Sequence, residues 1–504
     1  MSETIETRAV GADGAPALER VFRNPIAILG FGGVSLVLYL VAMVWDQLGT
    51  PWGAASSMAM AVAAFVLHVA LSGRRLSSMD PLIWVPVFML LFYFGTPVAV
   101  EVMGFSDYYR AFGYVPKLEV AYAINLMGFT AFFLGAHSSG ILNGRKPVES
   151  SPPGSRPLLI PALLVIIAGM LMTLFGLVIA GPGVLFGAYM DLKLAEADGT
   201  AQTSWFNVGL LTIPPACMAL LAAREPGNRW IPVVVTVIVG VVFALLVLIG
   251  DRGGLAIQVL GLGWIVTQRV RRVPYWIAIV GFTAALVLMP ILKEFRNYRN
   301  LQESVRLSPY ELVAATFYET GSSGLVFAWT VDAVPNTRPY DYGASIAMPI
   351  VFLVPWIGST IPDLGRLAGE LNPNFWISEH IDPASYEVKG ANHGFTMTGT
   401  WYSNFGITGV LVLSALMGAL TSKMRNMARG TPMQATMSGL FVVFLALFIR
   451  NSLATPLRFA FWPLLLIVIA YYVSPFLFGR PASSAIASGG MGSDPQRRPG
   501  ELGI

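Results

Sequence analysis

The chain holds one cysteine, Cys217, among 504 residues, and that residue sits inside an apolar run. No intramolecular disulfide can form, and no thiolate cluster can hold a metal. Charge is scarce too: Asp, Glu, Lys and Arg together make up 12% of the residues, and a net charge of only +4 gives no argument for nucleic acid as a partner. Also absent are a nucleotide-phosphate loop, a zinc-protease helix motif and a nucleophile elbow. No persuasive cluster of metal ligands and no fixed-period repeat stands out, so neither metal nor cofactor is expected.

What the sequence has in abundance is apolar side chains: 55% of its residues, with a mean hydropathy of +0.65. The stretch Ile26 to Val44 is long enough to cross about 30 Å of hydrocarbon, and comparable runs recur along nearly the whole chain. Backbone hydrogen bonding in lipid selects helices. The expected fold is an all-α polytopic membrane protein of about twelve spanning helices. The polar segment ahead of Ile26 is followed by no convincing cleavage site, so the first run reads as a retained signal anchor.

Orientation follows from the basic residues beside alternate connections. Arg8, Arg20 and Arg23, then Arg74 and Arg75, Arg145, Lys146 and Arg156, Arg224 and Arg229, Arg269, Arg271 and Arg272, and Lys423, Arg425 and Arg429 all fall on one side, with Arg480, Arg497 and Arg498 after the last run. The short opposite connections hold only Arg110, Lys117, Lys193, Arg252, Arg450 and Arg458. The expected organisation is a cytoplasmic segment at 1–25, transmembrane helices 1–9 within 26–292, a large periplasmic or extracellular loop at 293–395, helices 10–12 within 396–479, and a disordered cytoplasmic tail at 480–504. Both termini are expected in the cytoplasm.

The external loop reads as structured. Ser308, Pro309 and Glu311 form a capping-box signature with proline at the first helical position, predicting a helix through Glu319. Thr320 to Ser323 then predicts a break. Ser345 to Pro362 is apolar, but Pro349 and Pro355 and the charge pattern downstream make it interfacial or re-entrant rather than another span. Trp356 and Trp376 suit an interface or a sugar face.

Several residues could carry chemistry. The hairpin Gly250, Asp251, Arg252, Gly253 and Gly254 is squeezed between two spans, at a helix start whose amides and dipole favour an anion; Asp251 capping the helix while Arg252 reaches lipid headgroups is the other reading. Lys293, Arg296 and Arg299 follow the ninth helix on the same side, and Arg296 and Arg299 share a helical face. Arginine suits multidentate phosphate binding, and anchoring to anionic lipid is the alternative. Candidate bases are His393, at a helix start, and Glu319, with His380 and Asp382 in the same loop. His68 and His137 read as packing or pore-facing residues. The string Gly399, Thr400, Trp401, Tyr402, Ser403, Asn404, Phe405, Gly406 and Gly409 offers close packing through its glycines and sugar contacts through Trp401, Tyr402 and Asn404.

Together the Gly-Asp-Arg-Gly-Gly hairpin, Arg296, the long external loop and the Trp-Tyr-Ser-Asn-Phe-Gly-Ile-Thr-Gly string resemble the O-antigen polymerase (Wzy-type) and oligosaccharide repeat-unit polymerase families. The topology match covers most of the chain and the motif match two short patches. The related O-antigen ligases carry a similar Arg-Gly step and an external histidine, corresponding to Arg252 and His393. This resemblance implies an inverting, metal-independent glycosyltransferase of the GT-C type in the bacterial inner membrane. Its donor and acceptor would be undecaprenyl-pyrophosphate-linked glycans, and a chain-length regulator is a possible partner. Arg252 and Arg296, supported by Arg299, would hold pyrophosphate, with His393 or Glu319 as base. A ligase differs only in its acceptor. A twelve-helix transporter is disfavoured by the short Arg224 to Trp230 connection, and a flippase by the scarcity of intramembrane charge.

Overall fold

The computed structural model describes residues 29–40, 54–72, 76–104, 117–142, 158–181, 204–225, 228–249, 252–298, 308–354, 357–381 and 394–478. The 1–25 segment, the 480–504 tail, Asp251, Arg299, Trp356, Asp382 and His393 lie outside the described residues. Among those described, the regular elements are all helical: α1 (Leu29–Leu40), then α2 (Ala54–Ser72), α3 (Pro81–Pro97), α4 (Leu118–Leu142), α5 (Leu159–Ala180), α6 (Ser204–Ala222), α7 (Trp230–Ile249), α8 (Arg252–Arg269) and α9 (Tyr275–Tyr298). A π-helical turn at Val98–Val102 prolongs α3. There follow α10 (Pro309–Ala333), four short helices α11 (Ala344–Val351), α12 (Ile357–Thr360), α13 (Pro362–Leu371) and α14 (Pro373–Ile381), and finally α15 (Met397–Met427), α16 (Pro432–Phe448) and α17 (Ala454–Phe478).

Among the described residues, five helices are long and apolar enough to cross a membrane: Pro81–Val100, Leu118–Ser139, Leu159–Ile179, Met397–Met427 and Ala454–Leu477. Shorter apolar helices accompany them, including Ser56–Ser72, Val208–Ala222, Trp230–Leu246 and Pro432–Phe448. The chain is thus a multi-pass membrane protein, with five candidate spans and several shorter apolar helices among the described residues.

Local chemistry sets several helix starts. Asp80 caps α3, its Oδ1 accepting from Leu82 N at 3.1 Å, and the capping box of Ser308 and Glu311 forms at the start of α10. Thr431 and Gln434 form a second box at α16. Proline occupies the first turn in all three, where its missing N–H leaves no bond unmade.

The helices pack into two apolar groups. One gathers side chains of α1 to α4, α10 and α15, among them Phe94, Tyr122, Phe133, Phe327 and Trp401. The other gathers α5 to α8 and α17, around Phe206, Met218, Trp264 and Ile467. Helix α16 belongs to both: Leu445, Phe448 and Ile449 face the first, while Val442, Val443 and Ala446 face the second. Within the first group the histidines of α2 and α4 meet, His68 Nδ1 lying 3.0 Å from His137 Nε2 and His68 Nε2 3.0 Å from the Leu82 carbonyl. A carbonyl only accepts, so Nε2 of His68 carries the proton and its Nδ1 accepts from His137.

Two departures from the sequence reading matter most. First, α10 is neither a surface helix nor broken after Glu319. It continues to Ala333 and runs antiparallel along the second half of α3: Tyr310 Oη donates to Met103 O at 2.7 Å, Thr96 Oγ1 donates to Tyr318 O at 3.1 Å, and Gly324 meets the Tyr93 carbonyl. Gly321, expected to end the helix, instead lets the α10 and α3 backbones touch at Gly95 and Thr96. Part of the expected external loop is therefore bundle. The ninth helix also runs on to Tyr298, so that Lys293 and Arg296 are helical rather than part of the loop.

Second, α15 is not one straight span. Gly406 has φ +64 and ψ −156, and the chain reverses there. A Cβ on Gly409 would stand 2.7 Å from the carbonyl oxygen of Trp401, eight residues earlier, and both Thr398 and Val410 abut Gly128. In a straight helix residues eight apart are separated by about 12 Å. Residues 397–405 thus form a short buried arm folded back against 407–427, and the latter stretch alone supplies the spanning length. The apolar segment expected to be interfacial forms no span either; its helix, α11, is 8 residues long.

A further tie fastens the opposite end. Arg425, near the end of α15, places Nε 2.6 Å from Asp80 Oδ2, whose side chain is 0% exposed. Removing one partner of such a pair strands a buried charge, so Arg425→Ala should lower unfolding free energy by about 3–5 kcal/mol in denaturant titrations of the detergent-purified protein. At the reversal, Gly409→Ala and Gly406→Ala should each lose roughly 1–3 kcal/mol, seen as a lower thermal midpoint. Gly240→Ala, where an added Cβ meets nothing within 4 Å, should not.

Candidate functional site

The reversal of α15 and the burial of α10 bring separate parts of the sequence to one end of the first helix group. Glu319 and Ser323 stand one helical turn apart on α10, hence on one face. Ser323 is 0% exposed, and its Oγ lies 3.2 Å from where a Cβ on Gly394 would be. Gly394 has φ +79, and the next residue, Phe395, donates its N–H to the Arg450 carbonyl at 2.9 Å. Thr396 then caps the buried arm, accepting from Gly399 N at 2.8 Å. The Arg450 guanidinium lies over the Phe92 ring at 5.6 Å. Beyond it, Ser452 N donates to Asn374 Oδ1 at 3.3 Å and Ser452 Oγ to Asn372 Oδ1 at 3.1 Å, docking α14 onto the end of α16.

The residues expected to act divide accordingly. Glu319 is half-buried on α10, one turn before the Ser323 that meets Gly394. His393 lies outside the described residues, one position before Gly394. Arg252 is the first residue of α8 and Arg296 lies in the last turn of α9; their side chains are outside the described set, as is the whole of Arg299. Helix α9 is fastened to α10 by Thr316 Oγ1, which donates to Leu286 O at 2.7 Å, so its end carrying Arg296 runs alongside the start of α10. Helix α8 belongs to the second group.

The three side chains expected to touch sugars are used inside the protein. Asn404 is 0% exposed; its Nδ2 donates to Ser345 Oγ and Thr400 O, both at 2.7 Å, and its Oδ1 accepts from Gly343 N at 2.8 Å. Tyr402 Oη donates to Val334 O at 3.2 Å, and the Trp401 ring packs edge-on to Phe448 at 5.1 Å. These contacts hold the arm to the chain entering α11, with Asp341 N and Tyr342 N donating to the carbonyls of Ser403 and Asn404.

Beside the arm lies a polar and aromatic cluster in which sequence reasoning had singled out Trp376 and His380 but not Trp329, Arg338 or Asp341. Arg338 lies over the Trp376 ring at 4.7 Å; its Nη2 pairs with Asp341 Oδ1 at 3.2 Å and donates to Glu370 O at 2.9 Å. Burial pushes the Asp341 carboxyl above its ordinary range, against the pull of Arg338. Trp329 stands edge-on to His380, 6.1 Å between ring centres. The i, i+3 spacing of Arg338 and Asp341 was the available signal, but it is common in loops and does not point to Trp376.

One protein family, described as O-antigen polysaccharide polymerase Wzy, matches residues 54–479 of the chain. The chain belongs to that family. No curated protein and no solved structure matches it. A Wzy polymerase acts on lipid-linked oligosaccharide repeat units in a membrane, and the cluster at the end of α10, α14 and α16 combines carboxylate, guanidinium and indole groups at one end of this polymerase's helices. Because Asn404 works as a brace, Asn404→Ala should lower the thermal midpoint of the purified polymerase, reflecting the loss of three hydrogen bonds at about 1 kcal/mol each. A direct sugar-contacting role would instead weaken substrate binding with the midpoint unchanged.

Proposed function

We propose that this Wzy polymerase joins undecaprenyl-pyrophosphate-linked oligosaccharide repeat units at the outer face of the bacterial cytoplasmic membrane, both termini lying inside. The match across residues 54–479 carries this reading; the arginine and lysine pattern supports the orientation. The chemistry is that of an inverting, metal-independent GT-C-type transferase. The acceptor hydroxyl attacks the anomeric carbon of the donor sugar, the bond to the lipid pyrophosphate breaks, and the pyrophosphate leaves with the electron pair. Arg252 and Arg296, with Arg299, offset the charge that grows on the leaving group. Glu319 or His393 takes the acceptor proton. The packing of Gly394 against Ser323, one turn from Glu319, supports both base candidates serving a single centre.

Purified protein incubated with lipid-linked repeat units should yield a ladder of longer glycans. Arg252→Ala should slow ladder growth by about 10²–10³-fold. Of Glu319→Gln and His393→Ala, the one that removes the base should cut the rate about 10²–10⁴-fold, the other far less. Ladders that form at the parental rate in Arg252→Ala would sink the pyrophosphate assignment.

A further inference from the structure

We propose that Trp329, Trp376, Arg338 and Asp341 form a carbohydrate subsite that holds one sugar ring of the glycan, with His380 at its rim. Four shielded polar atoms concentrate here without hydrogen-bond partners among the described residues: Trp329 Nε1, Trp376 Nε1, Arg338 Nε and Asp341 Oδ2. They are gathered by packing. Both indoles rest on the small apolar cluster of Val326, Ile377 and Phe395, and Arg338 joins Trp376 to Asp341. Native proteins leave few buried polar groups unpaired, so such a concentration calls for a missing partner.

The atoms define that partner's chemistry. Three are donors and one is a carboxylate oxygen, an acceptor. A simple anion would meet Asp341, and a cation would meet two indole N–H groups and a guanidinium. An apolar group would leave all four atoms as they are. A neutral polyol suits the set, because every hydroxyl both donates and accepts while the C–H faces of a pyranose ring lie against indole. At the edge of the cluster His380 is exposed and the Arg338 side chain is 25% exposed, which leaves this side for a ligand to approach.

The position gives the subsite its use. Phe395 belongs to the cluster under the indoles, and its N–H is bonded to Arg450 at the turn following position 393. A sugar held on Trp329 and Trp376 therefore has its neighbour in the chain beside the centre assigned to bond formation. The ligand class rests on the polymerising reading; the unpaired atoms do not.

The test is calorimetric titration of the purified full chain with lipid-free repeat-unit oligosaccharide, released by mild acid from the lipid-linked repeat unit of the same cells. Saturable binding is expected. Trp329→Phe, which keeps an aromatic ring but removes the indole N–H, and Asp341→Asn, which keeps the shape but removes the charge, should each weaken it about tenfold at an unchanged thermal midpoint. Should either variant melt early, Arg338→Lys, which keeps the charge and removes the Nε donor, gives the same comparison. Parental affinity in these variants overturns the subsite, as does absence of saturable binding in a protein that builds ladders. Binding that the variants weaken, in a protein that never builds ladders, keeps the subsite and removes the polymerising reading instead.

Discussion

The reversal at Gly406 is the constraint on which the rest of this end of the protein depends. A backbone with φ near +64 is readily available only to glycine, and the return arm passes so close that Gly409 has no room for a side chain beside the Trp401 carbonyl. Those two glycines bury a nine-residue arm among α3, α4 and α10. Its start, at Thr396, is then held inside the bundle, while its tip meets Tyr340 and Gly343. Irregular backbone of this kind persists in a membrane protein only where protein rather than lipid surrounds it, and the many bonds of Asn404 satisfy that requirement.

The second constraint is the sharing of α16 between the two helix groups. One face carries Phe448 against Trp401, the other Val443 and Ala446 against α6 and α8. Its far end presents Arg450 to the 394–396 turn and Ser452 to Asn372 and Asn374. The Asp80–Arg425 pair ties the start of α3 to the end of α15. With both ends of this group anchored, α10 carries Glu319 on a helix packed against α3 rather than on a free loop.

Much was legible before any coordinates. Apolar runs translate into helices because lipid and core alike demand internally satisfied backbone, and the capping box at Ser308 works through groups three residues apart. What misled was the meaning of small residues. Gly321 and Ser323 after Glu319 look like a helix end, yet Gly321 serves close contact with Gly95, a partner more than 200 positions away. Trp401, Tyr402 and Asn404 look like sugar ligands, yet each has a buried partner remote in sequence. Trp376 was marked for an interface or a sugar face, but Arg338 and Asp341 went unnoticed beside it, because they are near neighbours in an ordinary loop and Trp376 reaches them only when α14 folds onto that loop.

By itself the sequence determined the solvent, the helical class, the starts of α3, α10 and α16, and the family, since each rests on composition or on residues within a few positions of one another. Tertiary structure alone decided that α10 lies inside the bundle, that α15 turns back on itself, and that Arg450, Ser323 and the 394–396 turn meet. These depend on close contact between stretches that the chain itself keeps apart, more than 200 residues for Gly95 and Gly321, where the absence of a side chain matters more than the presence of one, and a glycine's neighbours are not written beside it in the chain.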